Sequence, residues 1–203
     1  HNDVGTCVLY YDGKPLLIDI GSETYTRQTF GPERYTIWTM RSSYHNVPLI
    51  NGVEQKEGAK YAAKAVSFVN NKTNASFAVD ISAAYPAEAK VSSWIRRYDL
   101  KRQQSFTITD TYKLLSNEGN NALHFMTSAS TEKKKDGLLE LITGEVKMNM
   151  EYDPKVFELV IEPITIKDSR LLESWPPIVN RLILKIRNKG TQGSHRIIFR
   201  KAS

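Results

Sequence analysis

The feature that most constrains this chain is the recurrence of short β-rich runs at intervals of about ten residues along its whole length. "TCVLYYDGKPLLIDI" reads as two such runs joined at Asp12-Gly13, a pair suited to a tight type I′ turn. "AKAVSFVNNKTNASFAVDIS" reads as two strands around a polar Asn/Lys/Thr turn. "SSWIRRYDL", "QSFTITDTYKLL", "NALHFMTSAS", "LLELIT", "VKMNMEYD", "FELVIEPITI", "LILKIRN" and "SHRIIFRKA" follow. "RYTIWTMRSS" also alternates, with Trp38 and Met40 on one face and Ile37 and Thr39 on the other, so a strand is expected there. Helical periodicity is scarce. "EQKEGAKYAAKAV" holds helix formers, but Gly58 interrupts them. The expected fold class is all-β, one large antiparallel β-sandwich over residues 1–203.

Composition narrows the function classes. The 40% hydrophobic content over 203 residues is enough for a core. No apolar run is long enough to span a membrane as a helix, and no signal peptide is visible. Twenty-eight basic residues against 22 acidic ones give a net charge of +6, which favours polyanionic partners. Much of the excess sits in pairs such as Arg96-Arg97, Lys101-Arg102 and Arg200-Lys201, and in the run 133–135, which reads as a charged loop. Nucleic acid is not expected, because no aromatic-basic stripe gathers at one locus. Cys7 is the sole cysteine, in an apolar run that suits a buried thiol.

No nucleophile elbow, P-loop or dinucleotide fingerprint is present. His124 and His195 fall inside strand patterns and read as structural. His45 differs, because "SSYHNVPLINGVEQ" clusters polar and aromatic groups at the end of a run, where sites are built. Asp19 sits in the apolar "LLIDI", where a carboxylate is costly unless paired or metal-bound. If the first hairpin closes at Asp12-Gly13, Asp19 returns to the level of His1 and Asp3. His1, Asp19 and His45 would then make two imidazoles and a carboxylate, a set suited to zinc with an open fourth position.

"HNDVG", "DGKPLLIDIG" and "RYTIWTMRSSYHNVPLINGVEQ", in that order and spacing, resemble the C-terminal β-sandwich of heparinase II/III-type polysaccharide lyases. The resemblance rests on roughly the first quarter of the chain. It implies an α/α toroid ahead of His1, outside this sequence, so the chain is not expected to be active by itself. It implies an acidic, uronate-containing polysaccharide of the heparin or heparan sulfate kind, cleaved by β-elimination in the cleft between toroid and sandwich. It also implies zinc held by His1, Asp19 and His45, and a periplasmic or secreted bacterial setting. The catalytic residues would lie upstream and in the toroid. Tyr44, Asn46 and Gln55 are candidates for sugar contact, with turn capping and strand-end hydrogen bonds as the competing reading.

Two further classes compete. If His1 is a mature N-terminus, its α-amine and imidazole with His45 resemble the copper histidine brace of polysaccharide monooxygenases. Alternatively, Trp38, Trp94 and Trp175 could form the stacking platform of a non-catalytic carbohydrate-binding sandwich, although strand tryptophans are more often core residues.

Overall fold

A computed structural model describes residues 2–202. The first half holds β1 (Leu9–Tyr11), β2 (Lys14–Leu17), β3 (Pro48–Leu49), β4 (Lys64–Asn70), β5 (Asn74–Asp80), β6 (Val91–Lys101) and β7 (Ser105–Leu114). The second holds β8 (Ala122–Thr127), β9 (Ser130–Lys135), β10 (Leu138–Thr143), β11 (Val146–Glu151), β12 (Phe157–Thr165), β13 (Ile178–Ile186) and β14 (Gln192–Lys201), with one short helix, α1 (Ser169–Leu172). The large sheet runs β4-β5-β6-β7-β14-β11-β10-β9, and the small one β12-β13-β8-β3. The pairings within them are antiparallel, as expected for a sandwich of hairpins. The first hairpin closes where expected, with Asp12 and Gly13 at φ +50° and +69°, the two left-handed residues a type I′ turn requires.

Alternation along each strand builds the layers. Tyr98, Ile108, Leu141, Met150 and Phe199 of the large sheet meet Leu123, Phe125, Leu182 and Leu184 of the small one in the main core. Trp94 is fully buried there and stacks on Tyr112 at 4.7 Å between ring centroids. The small sheet is covered on its other face too. Met126 and Val179 pack against Ile18, Ile20, Ile166 and Leu171, with Trp38, Tyr44 and Trp175 around them. This third layer explains why every residue of β8 is buried.

Two expectations are corrected. Residues 34–45 do not form a strand. Three successive 3₁₀ turns, Arg34–Thr36, Trp38–Met40 and Ser42–Tyr44, follow one at Gln28–Phe30. Their hydrogen bonds run three residues back, from Ile37 N to Arg34 O, Arg41 N to Trp38 O and His45 N to Ser42 O. The 133–135 run is not a loop but the end of edge strand β9, where lysines discourage pairing with a foreign strand.

Candidate metal centre

Three segments meet at the rim of the small sheet. Asp3 enters in the N-terminal turn, where Thr6 N donates to Asp3 O at 3.0 Å. Asp19 follows β2, between Ile18 and Ile20, both fully buried in the outer core. His45 ends the last 3₁₀ turn and is 7% exposed. One ligand atom from each of Asp3, Asp19 and His45 lies within 4.8 Å of the other two. His45 Nδ1 is 3.2 Å from Asp19 Oδ2. The hydrogen bond to His45 holds the Asp19 carboxyl below its usual range, against the opposing effect of burial, with Gly21 N adding a further bond at 2.9 Å.

The cluster opens into a cavity of about 390 Å³, whose walls include Arg34, Tyr25 and Thr39. Thr39 is 1% exposed, and its hydroxyl has no hydrogen-bond partner among the described residues. A buried, unpartnered hydroxyl beside two carboxylates and an imidazole suits a polar occupant. The oxygen-rich donor set with one imidazole suits a divalent ion such as zinc.

The sequence-expected residues come together unevenly. His1 lies outside the described residues. Asp19 and His45 do meet, and the third donor beside them is Asp3, which the sequence placed at the right level without making it a ligand. Asn46 is fully buried. Its Nδ2 donates to Cys7 O at 2.6 Å and Ile18 O at 2.9 Å, and its Oδ1 accepts from Met126 N at 2.6 Å. One side chain next to His45 therefore ties the N-terminal segment, the residue before Asp19 and β8 together. Gln55 is 3% exposed and does the same for Asp3. Its Oε1 accepts from Val4 N at 2.7 Å and its Nε2 donates to Val4 O at 2.8 Å. Tyr44 packs edge-on against Trp38 at 5.2 Å, and the Arg181 guanidinium lies 4.3 Å from its ring centroid. Turn and strand-end hydrogen bonding is thus what Asn46 and Gln55 do.

Below the rim lies a charged pair that pattern reading passed over. Arg96 and Asp110 are both fully buried and joined by two hydrogen bonds of 2.8 Å, from Nε and Nη2 to the two carboxylate oxygens. The nearby carboxylate raises the Arg96 pKa further, against the cost of burial. Arg96 Nη1 then donates to Asn46 O at 2.6 Å, carrying the support to within one residue of His45. The only advance signal was an arginine at an inward position of β6 opposite an aspartate at an inward position of β7.

The remaining expectations are placed as follows. Cys7 is partly buried against the core, and burial pushes its thiol up to about 11, leaving it protonated and unreactive at neutral pH. His124 is buried with Nδ1 unpartnered among the described residues. His195 is buried beside Tyr112 and Phe157. The tryptophans form no shared platform. Trp94 is sealed in the main core, while the Trp38 and Trp175 N–H groups are spent on Glu23 at 2.7 Å and Ile20 O at 3.0 Å.

Comparison with known proteins agrees with this architecture. The heparan sulfate lyase HepC from Pedobacter heparinus superposes with a TM-score of 0.75 at 12% identity, covering 100% of this chain and 31% of the other. A heparinase III gene product gives 0.74 at 16% identity, covering 99% and 30%. Another heparinase III structure gives 0.70 at 16% identity, covering 98% and 29%. At such identities the likeness speaks for the fold, and the chain spans about a third of the length of these proteins. No curated protein matches it. The model of the heparinase II/III-like C-terminal domain matches residues 1–153, three-quarters of the sequence, and the chain belongs to that family.

Proposed function

We propose that this domain is the β-sandwich part of a polysaccharide lyase that cleaves uronate-containing acidic glycans by β-elimination. In this reading an α/α toroid precedes it in the longer protein and supplies the catalytic side chains. The domain contributes one wall of the cleft, is inactive by itself, and works in the periplasm or outside a bacterial cell. The observation that carries the reading is the convergence of Asp3, Asp19 and His45 on one rim cavity in a member of this family.

Asp3, Asp19 and His45 would hold a divalent ion, with His1 as a further candidate. When bound, zinc would supply positive charge beside the cleft and fix the ligand side chains. Arg34 forms another part of the wall, its guanidinium held by a 2.9 Å bond from Nη1 to Thr29 O. In this reading it would meet a uronate carboxylate and offset the charge that grows as the C5 proton leaves. Asn46, Gln55 and Arg96 touch no sugar. They hold the backbone on either side of the ligands. The donor set favours zinc over a copper brace, since it pairs one imidazole with two carboxylates.

The test is elemental analysis of the purified domain beside His45→Ala and Asp3→Asn. One equivalent of zinc in the parent, lost in both variants, supports the centre, and zinc retained in both refutes it. Joined to its upstream region, the chain should release unsaturated uronate from heparan sulfate, and an Arg34→Ala variant should release it more slowly. No absorbance from unsaturated product on any uronate glycan would end the lyase reading.

A further inference from the structure

Arg96 and Arg97 are adjacent on β6 and point to opposite faces of the large sheet, since side chains alternate along a strand. Arg96 faces inward and supports the rim. Arg97 faces outward, onto a surface that shares no lining residue with the rim cavity.

That outer surface is a trough of about 620 Å³ across β4 to β14. Its shape follows from the order of long and short side chains. The sequence "SFTITDTY" places hydroxyls at alternate positions of β7, so Ser105, Thr107 and Thr109 make a low floor. Arg97 and Lys101 on β6 form one charged wall of this floor and Arg196 and Arg200 on β14 the other, and beyond β6 the trough runs on over Ser67, Val69 and Ser76. Pairing sets them in line, with Arg97 opposite Thr109 and Thr109 opposite Arg196. Two strand spacings separate the walls by about 10 Å.

The charge is only partly answered within the protein. Arg97 is bridged to Asp99 by two 2.9 Å contacts, and Arg200 lies 3.7 Å from Glu151. Lys101 and Arg196 have no carboxylate partner among the described residues. The surface also lacks rings. Tyr98, Phe106 and Phe199 lie on the inner face, Tyr98 stacked on Phe106 and Phe106 tilted against Phe199 along the core. Nucleobases would find no aromatic ring to stack on. Guanidinium and ammonium groups over a hydroxyl floor suit an anion-bearing sugar chain, with sulfates or carboxylates on the walls and ring hydroxyls on the threonines.

We propose that this outer trough is a second binding site for a polyanionic glycan, separate from the rim cavity. It would retain the polymer on the domain while another stretch occupies the cleft. The site stands on Arg97, Lys101, Arg196 and Arg200 and does not depend on the metal reading.

The test measures binding of a heparin octasaccharide by calorimetry to the domain, to Lys101→Ala/Arg196→Ala, and to Lys133→Ala/Lys135→Ala. The two double variants lose equal charge from exposed side chains, and thermal melting confirms that each is folded. The trough variant should bind about fivefold more weakly or worse, and the β9 variant should match the parent. Chemically desulfated octasaccharide should bind less well to the parent. The proposal is overturned if the parent does not bind. Equal losses in both double variants, or equally tight binding of a single-stranded oligonucleotide, would overturn it as well.

Discussion

The body of the sandwich and its rim reach a fixed structure by different means. In the body, position follows from period: every second residue faces the core, and Leu184 is held by area and shape alone. In the rim, the backbone turns every three residues, and its location is set by a handful of buried polar side chains that each hold several backbone groups. The body spreads its stability over many contacts, whereas the rim concentrates it in a few. The difference suits a site, because ligands on turns reach their places only if something rigid fixes the turns.

The sharpest test removes the support shared by both regions. Asp110→Ala leaves the Arg96 guanidinium buried without its carboxylate and should cost about 4 kcal/mol, read as a shift in the urea midpoint. Next comes a matched pair. Asn46→Ala and Leu184→Ala should each cost about 3 kcal/mol, the first by stripping partners from two buried backbone groups and one part-buried one, the second by opening a cavity. Zinc affinity should collapse in Asn46→Ala and stay intact in Leu184→Ala. Equal metal affinity in the two would erase the distinction between the regions.

Acid should act through β8, where body and rim meet. Burial, helped by the nearby Arg181 charge, lowers the His124 pKa from 6.5 to about 4. Below pH 6.5 the unfolded imidazole takes up a proton that the folded one refuses, so stability present at neutral pH is lost as pH falls. The loss between pH 8 and pH 5 should be about 2 kcal/mol, and His124→Gln should flatten that part of the curve. The smallest effect is expected at Tyr44→Leu, which removes the ring under Arg181 and should cost about 1 kcal/mol with little change in metal binding.

The same contrast decides what could be read beforehand. The hairpins at Asp12-Gly13 and at Asn71–Thr73 were legible because alternation and turn chemistry are local. Residues 34–45 also alternated, yet Ile37 and Thr39 face no strand partner. Short i to i+3 hydrogen bonds there outcompete pairing, and an apolar alternation does not report them. Asp19 and His45 were recognisable as costly or unusual in their surroundings. Asp3 was not chosen as a candidate, because its place beside them depends on Gln55 gripping Val4 from 51 positions away. Asn46 and Gln55 drew attention for the right reason, proximity to the centre, while burial gave them work that a sequence does not display.

The two borders of the large sheet are unlike. β9 ends in three consecutive lysines, and β4 is exposed throughout, with Val66, Phe68 and Val69 each more than 60% accessible. Self-association by strand addition therefore has a built-in ceiling for this sheet. A sheet with a single adhesive edge is a chain terminator: two copies that join there use up each other's reactive end, and growth through this sheet stops at a pair instead of running on into a filament.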